Sequence, residues 1–222
     1  MGRTYSEIDG RTARFITSQP IFFVATAPLS LDGHINCSPK GNRGELAVLG
    51  GSYLAWLDQT GSGAETVAHL LENSRIVVMF CAFEGKPRIV RIHGSGEAVL
   101  AGDPRFAPLV DKVVCASSRG GRQEPSQPDS AKKATAQRLS PLDANSKDHR
   151  ALGVGLRAVI VVSVTRVSDS CGYGVPLMEF KGHRRELDAW GERKGLEGLA
   201  MYRKEKNSTS IDGLPAFRSP GC

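Results

Sequence analysis

The sequence predicts a mainly β domain: an antiparallel barrel or sandwich with helices at its periphery. Three observations carry this expectation. The chain has 222 residues, 40% hydrophobic and 23% charged, which suits one domain with one core. Strand-like runs follow one another through short turns over the first hundred residues, with a single helical pattern among them. The regular alternation of strand and helix that builds a parallel sheet is missing.

The elements follow in order. Residues 21–27 (IFFVATA) are apolar, β-branched and aromatic, and read as a buried strand. An Asp-Gly turn leads to a short strand from Gly33 to Cys37. Leu46 to Leu57 is strand material broken by Gly50-Gly51. Ala64 to Asn73 is helical, because Ala64, Val67, Ala68 and Leu71 fall on one face. Arg75 to Phe83 is a strand, 84–87 (EGKP) a turn, and Arg88 to Leu100 a long strand. Within it Ile89, Arg91 and His93 share one face, and Arg88, Val90 and Ile92 the other. Asp103 and Pro104 open a helix reaching Val114. Residues 116–150 hold seven Lys/Arg and four Asp/Glu but no aromatic residue. Such a segment cannot bury enough surface to offset its ordering entropy and is expected to be a disordered or loosely held surface insertion. Gly155 to Val167 is a further strand, followed by a Gly/Pro turn at 171–176. Residues 177–222 form a C-terminal extension, helical over 184–205 with a break near Gly195, ending in a polar, turn-rich stretch. The whole reads as a single domain, 1–222.

Composition excludes several classes. The longest apolar-rich stretch, Leu156 to Val164, is interrupted by Arg157 and Ser163 and falls far short of the roughly 20 residues of a membrane span. No secretory signal is expected at the N-terminus, although 1–6 (MGRTYS) fits the short myristoylation pattern at Gly2. The five cysteines are widely spaced, which suits free thiols in a reducing, cytoplasmic setting. The histidines are scattered, so a metal site has no local support. Half of the formal +6 charge lies in 116–150 without interleaved aromatics, so neither nucleic acid nor membrane is an expected partner.

Two turns carry the chemistry. Residues 38–44 (SPKGNRG) combine cations, small polar side chains and glycines after a strand. Lys40 offers a point charge for a phosphate and Arg43 a fork; the alternative is a solvated basic turn. Residues 58–66 (DQTGSGAET) join a strand to a helix start. Free N–H groups and the positive helix end favour an anion there, and Thr60, Ser62 and Thr66 add hydroxyls. The alternative is a capping box formed by Ser62 and Glu65. The stretch is neither a P-loop nor a dinucleotide fingerprint. Together the two turns suit one phosphorylated ligand held between neighbouring strands. Arg91 suits a carboxylate partner that ties the barrel together, and His69 and His93 are acid–base candidates by residue type alone.

The order of these motifs resembles the pyridoxamine 5'-phosphate oxidase-like family of FMN-binding split barrels. The matching stretches are FFVATAPLSLDGHINCSPKGN, LAWLDQTGSGAETVAHLLENSRIVVMFCAFEGKPRIVRIHGSGEAVL, SDSCGYGVPLMEF and KNSTSIDGLP. The resemblance implies a six-stranded antiparallel split barrel, a homodimer, and FMN in a cleft at the subunit interface. It carries cofactor contacts onto Ser38, Lys40, Thr60, Gly61, Ser62, Thr66 and Arg91. It implies an oxidoreductase moving hydride through the flavin to or from a small molecule, with no side chain marked as catalytic. The oxidase proper has Ser-Arg-Lys on its phosphate-binding helix; here 64–66 reads Ala-Glu-Thr. The oxidase's Arg-Leu-x-Pro tail is replaced by 210–215 (SIDGLP). Both departures point away from vitamin B6 oxidation. The alternatives are a non-catalytic flavin- or haem-binding module and a true pyridoxamine or pyridoxine phosphate oxidase, with deazaflavin as an alternative cofactor.

Overall fold

The structure is a computed structural model that describes residues 2–42, 44–119 and 154–217. Its strands are β1 (Thr4–Tyr5), β2 (Phe22–Thr26), β3 (Asn36–Lys40), β4 (Leu46–Val48), β5 (Tyr53–Gln59), β6 (Arg75–Cys81), β7 (Ile89–Leu100) and β8 (Leu156–Ser170). The helices are α1 (Gly10–Ser18), α2 (Glu65–Asn73), α3 (Phe106–Arg119) and α4 (Glu186–Lys206). All strand pairings are antiparallel. The strands run in the order β3-β2-β6-β7-β8-β5-β4, with β1 attached to β8. The path therefore has seven strands rather than the six expected, because the Gly50-Gly51 break turns one strand into the β4–β5 hairpin. Gly50 takes φ 78° there, a left-handed value that glycine adopts without strain.

The sheet is curled. The Phe22 and Trp56 rings, on β2 and β5, lie 5.7 Å apart at 69°, whereas four strand spacings in a flat sheet are about 19 Å. The interior holds Val24, Leu54, Trp56, Val78, Phe80, Val90, Ile92, Ile160 and Val162, all buried. β3 and β4 end the hydrogen-bonded path without pairing, so the barrel is split. A second core packs Val110 and Val113 of α3 against Ala55, Leu57 and Val159 on the other face of β5 and β8.

Several elements differ from expectation. Helix α1 was not anticipated; the Asp9 carboxylate accepts from the Thr12 N–H at 2.6 Å and caps it, while Thr12 and Ile16 supply its buried stripe. The strand expected at 33–37 begins only at Asn36, because the His34 N–H donates to Asp212 Oδ2 at 2.8 Å rather than to a neighbouring strand. Helix α3 runs to Arg119, so 116–119 of the expected insertion are helical; the rest of that insertion, 120–150, lies outside the described residues. The break in α4 falls at Gly195, φ 63°, where the sequence places it. The turn-rich stretch after α4 folds back, with Ala216 in the main core and Leu214 and Phe217 packed against it.

Gly94 stands at a register shift between β7 and β8, where a Cβ would come 2.2 Å from the Ser163 carbonyl oxygen and 2.8 Å from Val162 Cγ1. Backbone has to move to admit it. Gly94→Ala is expected to cost ~1–3 kcal/mol, read as a lowered urea midpoint with an unchanged m-value.

Candidate functional site

Alternation along β5 turns Leu54, Trp56 and Asp58 to the same side, and the first two belong to the main core. Asp58 therefore enters the barrel as a carboxylate, 2% exposed. Burial pushes its pKa up, but the Lys40 and Arg157 charges and their hydrogen bonds outweigh burial and hold it below the ordinary carboxylate value. Lys40 Nζ donates to Oδ1 at 3.0 Å and Arg157 Nε to Oδ2 at 2.8 Å. Lys40 sits on β3, so this ion pair spans the split between the two sheet ends. Arg157 is the unpaired residue of a bulge: Asp58 faces Ala158 and Gln59 faces Leu156. The bulge re-aims its side chain into the rim. Arg157 Nη1 donates to Asn207 Oδ1 at 2.9 Å and Nη2 to the Gly63 carbonyl at 2.9 Å. Its guanidinium lies 4.6 Å over the Phe217 ring.

The 60–66 turn is fixed from the C-terminal side. The Thr60 hydroxyl donates to the Gly155 carbonyl at 2.6 Å and accepts from Arg203 Nε at 2.8 Å. Asn207 Nδ2 donates to the Gly61 carbonyl at 2.9 Å. No capping box forms: the N-cap of α2 is Ala64, without a side-chain cap bond, and Ser62 is exposed. A Cβ at Gly61 would meet nothing within 4 Å, so the turn is open there; one at Gly63 would meet Glu65 Oε2 at 2.6 Å. The Glu65 carboxylate thus folds back over Gly63.

A polar relay supports the start of α2. Asn36 Nδ2 donates to Thr66 Oγ1 at 3.0 Å and to Thr26 Oγ1 at 3.1 Å. Thr26 Oγ1 lies 2.9 Å from His69 Nδ1. Because Asn36 makes Thr66 an acceptor, the Thr66 hydroxyl proton is left to point elsewhere. His69 is fully buried, burial lowers its pKa, and its Nε2 has no partner among the described residues.

Asn36, Ser38 and Lys40 alternate onto the inward side of β3, so Ser38 stands between a residue bonded to Thr66 and a residue bonded to Asp58. Ser38, Lys40, Thr60, Gly61, Ser62 and Thr66 therefore border one rim of the barrel. Arg91 does not join them. Its neighbours Val90 and Ile92 are core residues, so it points to the outer face, where Nη1 donates to Ser170 Oγ at 3.2 Å. The carboxylate expected opposite Arg91 pairs instead with Arg88, which donates to Asp169 Oδ2 from Nη2 at 2.6 Å and from Nε at 2.9 Å. His93 is also on that outer face, its pKa lowered by burial and by Arg166 and Arg91. Arg43 lies outside the described residues. An open cleft of about 510 Å³ on the outside is lined by Arg3, Arg11, Thr12, Lys86, Arg88 and Cys171 among others, and none of the seven expected cofactor residues lines it.

Sequence reasoning missed Asn36, Asp58, Arg157, Arg203 and Asn207 as members of this rim. A usable signal existed for two of them: Asp58 and Arg157 are single charges inside the apolar strands YLAWLDQ and LRAVIVV, where a buried charge requires a partner.

The family model for pyridoxamine 5'-phosphate oxidase matches residues 8–171. The chain belongs to the pyridoxamine 5'-phosphate oxidase family. A member of that family, ustO of Aspergillus flavus, is 33% identical over 229 residues, covering 97% of this chain and 78% of its own. Among solved structures, Rv2991 of Mycobacterium tuberculosis aligns over 78% of this chain and 92% of its own, with 16% identity and a TM-score of 0.45. An FAD- and haem-binding protein of Mycobacterium smegmatis aligns over 85% and 80%, with 17% identity and a TM-score of 0.43. An FMN-binding protein of Syntrophomonas wolfei aligns over 76% and 85%, with 12% identity and a TM-score of 0.40.

Asp58→Asn leaves Lys40 and Arg157 without their carboxylate in a buried setting. The expected cost is about 3–5 kcal/mol, read by chemical denaturation at pH 7. Glu45 gives a pH signature. Burial raises its pKa to about 7, against lowering hydrogen bonds from Asn42 and Gln59. The folded state then holds a proton that the unfolded chain releases above its ordinary pKa near 4.5. Its contribution to stability falls as pH rises from that value to about 7 and is flat beyond. Glu45→Gln should remove this slope from a plot of unfolding free energy against pH.

Proposed function

We propose that this protein binds FMN, with the phosphate at the rim formed by β3 and the 60–66 turn, and acts as an oxidoreductase on a small molecule in the cytoplasm. The single observation that supports the reading most is the meeting of two anion-friendly segments. Lys40 on β3 and the 60–66 turn after β5 stand at strands five places apart in the sheet order and are joined through Asp58, Arg157 and the Gly63 carbonyl. The residues present fit a phosphate monoester. The first turn of α2 has no side-chain cap, Thr66 has a proton to give, Gly61 leaves room, and Lys40 supplies charge. Ser62 is exposed beside them.

When bound, FMN would supply hydride transfer through its isoalloxazine ring. The protein's own part is to hold and orient it. Lys40, restrained by Asp58, presents a fixed rather than a mobile ammonium, so less side-chain entropy is lost on binding. The Asn36–Thr26–His69 relay fixes the hydroxyl orientation of Thr66. A homodimer with the flavin between subunits belongs to the same proposal. So does the cytoplasmic setting: Cys37, Cys81, Cys115 and Cys171 are all free thiols, and no helix among the described residues is long and apolar enough to cross a membrane.

The test is a visible spectrum of the purified, desalted protein, followed by addition of a reduced nicotinamide. A flavin spectrum that bleaches is the expected result. A Soret band in place of flavin contradicts the cofactor; a flavin that no reductant turns over contradicts the oxidoreductase role. Thr66→Val should weaken FMN binding ~10-fold or more, because a hydrogen bond to a charged group is lost. Fluorescence titration with FMN reads this directly.

A further inference from the structure

The fold brings a cation from the C-terminal helix to the 60–66 turn. Arg203 lies in the last turn of α4, four residues before Asn207, whose backbone N–H donates to the Arg203 carbonyl at 2.8 Å. Its side chain is half-buried and anchored at one end only, by Nε donating to Thr60 Oγ1 at 2.8 Å. The two Nη nitrogens make no hydrogen bond or ion pair with any described residue. Burial and the neighbouring Arg157 charge both lower its pKa, and no carboxylate among the described residues pairs with this guanidinium.

Its neighbour Arg157 shows the contrast. All three of that residue's guanidinium nitrogens are spent, on Asp58, Asn207 and the Gly63 carbonyl. Asp58 is in turn shared between Arg157 and Lys40. Glu65, the other acid at the turn, makes no ion pair with Arg203. A half-buried cation without a counter-charge, beside a second cation, is costly unless an anion completes it.

We infer that Arg203 is a phosphate-binding residue of this protein, delivered from the C-terminal helix, and that it makes the site selective for a phosphate monoester over its dephosphorylated counterpart. This inference rests on the FMN reading above and extends it. A free planar Nη pair suits two phosphate oxygens at once. A phosphate monoester carries about −1.5 to −2 charge at neutral pH, which matches a guanidinium that stands beside Arg157 and has no counter-charge among the described residues.

The test compares FMN with riboflavin, which has the same ring and side chain but no phosphate. Both are titrated by fluorescence against the full chain and against Arg203→Gln, with thermal unfolding measured alongside. The expected result is a loss of about tenfold or more for FMN in Arg203→Gln, with riboflavin affinity unchanged. Equal losses for both ligands would assign Arg203 a purely structural role in holding Thr60, and no loss for either would remove it from the site; each overturns the inference while leaving FMN binding intact. If the unsubstituted protein binds neither ligand, the FMN reading falls and this inference with it. Should Arg203→Gln not fold, Arg203→Lys takes its place. It keeps charge but not the fork, and the same selective loss of FMN is required.

Discussion

The ion pairing of Asp58 is the constraint around which the rest of the molecule is arranged. Lys40 and Asp58 belong to strands five places apart in the sheet order, about 24 Å in a flat sheet, yet their charged atoms are 3.0 Å apart. Curling the sheet far enough to close that distance also brings Phe22 against Trp56 and seals the interior. The apolar core drives the curl, and the ion pair fixes where the split ends meet. A buried pair of this kind contributes little net stability over an apolar substitute. What it does contribute is geometry: it sets Lys40 on one side of the rim and, through Arg157, the 60–66 turn on the other.

That geometry also explains the C-terminal stretch. The 207–217 segment is polar and turn-rich, and by composition it belongs on the surface. Asn207 is nevertheless fully buried, because it satisfies Arg157 and the Gly61 carbonyl together. Ala216 and Phe217 then cover the network, the latter through its ring over Arg157. A charged cluster inside a barrel end needs such a lid of matched hydrogen bonds to offset its desolvation.

Much of the barrel was legible from short apolar runs bounded by turns. β2, β6, β7 and β8 all fall in the runs whose apolar, β-branched and aromatic residues read as strands, and Gly195 marks the break in α4. The turns at 38–44 and 58–66 were picked out by residue type, since Ser, Thr, Gly and Lys are what a phosphate needs. Three things were not. Helix α1 is short and its stripe contains a threonine, so its pattern is weak without a structure behind it. The strand start at Asn36 depends on Asp212, some 180 residues away in sequence, and no local signal reports a distant competitor for a backbone N–H. Arg88 precedes β7 and Arg91 lies within it, three residues apart, and only the folded pairing decides which of them finds Asp169. The partners of Asp58 were hidden for the same reason: Lys40 and Arg157 reach it only when the sheet has curled, β5 and β8 are paired and the bulge turns Arg157 inward.

The proposed phosphate site is one rim of the barrel, built from β3 and the 60–66 turn. It is tested by a crystal structure of the full chain grown with FMN. The phosphate is expected within hydrogen-bonding distance of Thr66 Oγ1 and the first N–H groups of α2, with Glu65 displaced from Gly63. A phosphate seated instead in the outer cleft among Arg3, Arg11 and Lys86, away from the 60–66 turn, would contradict it.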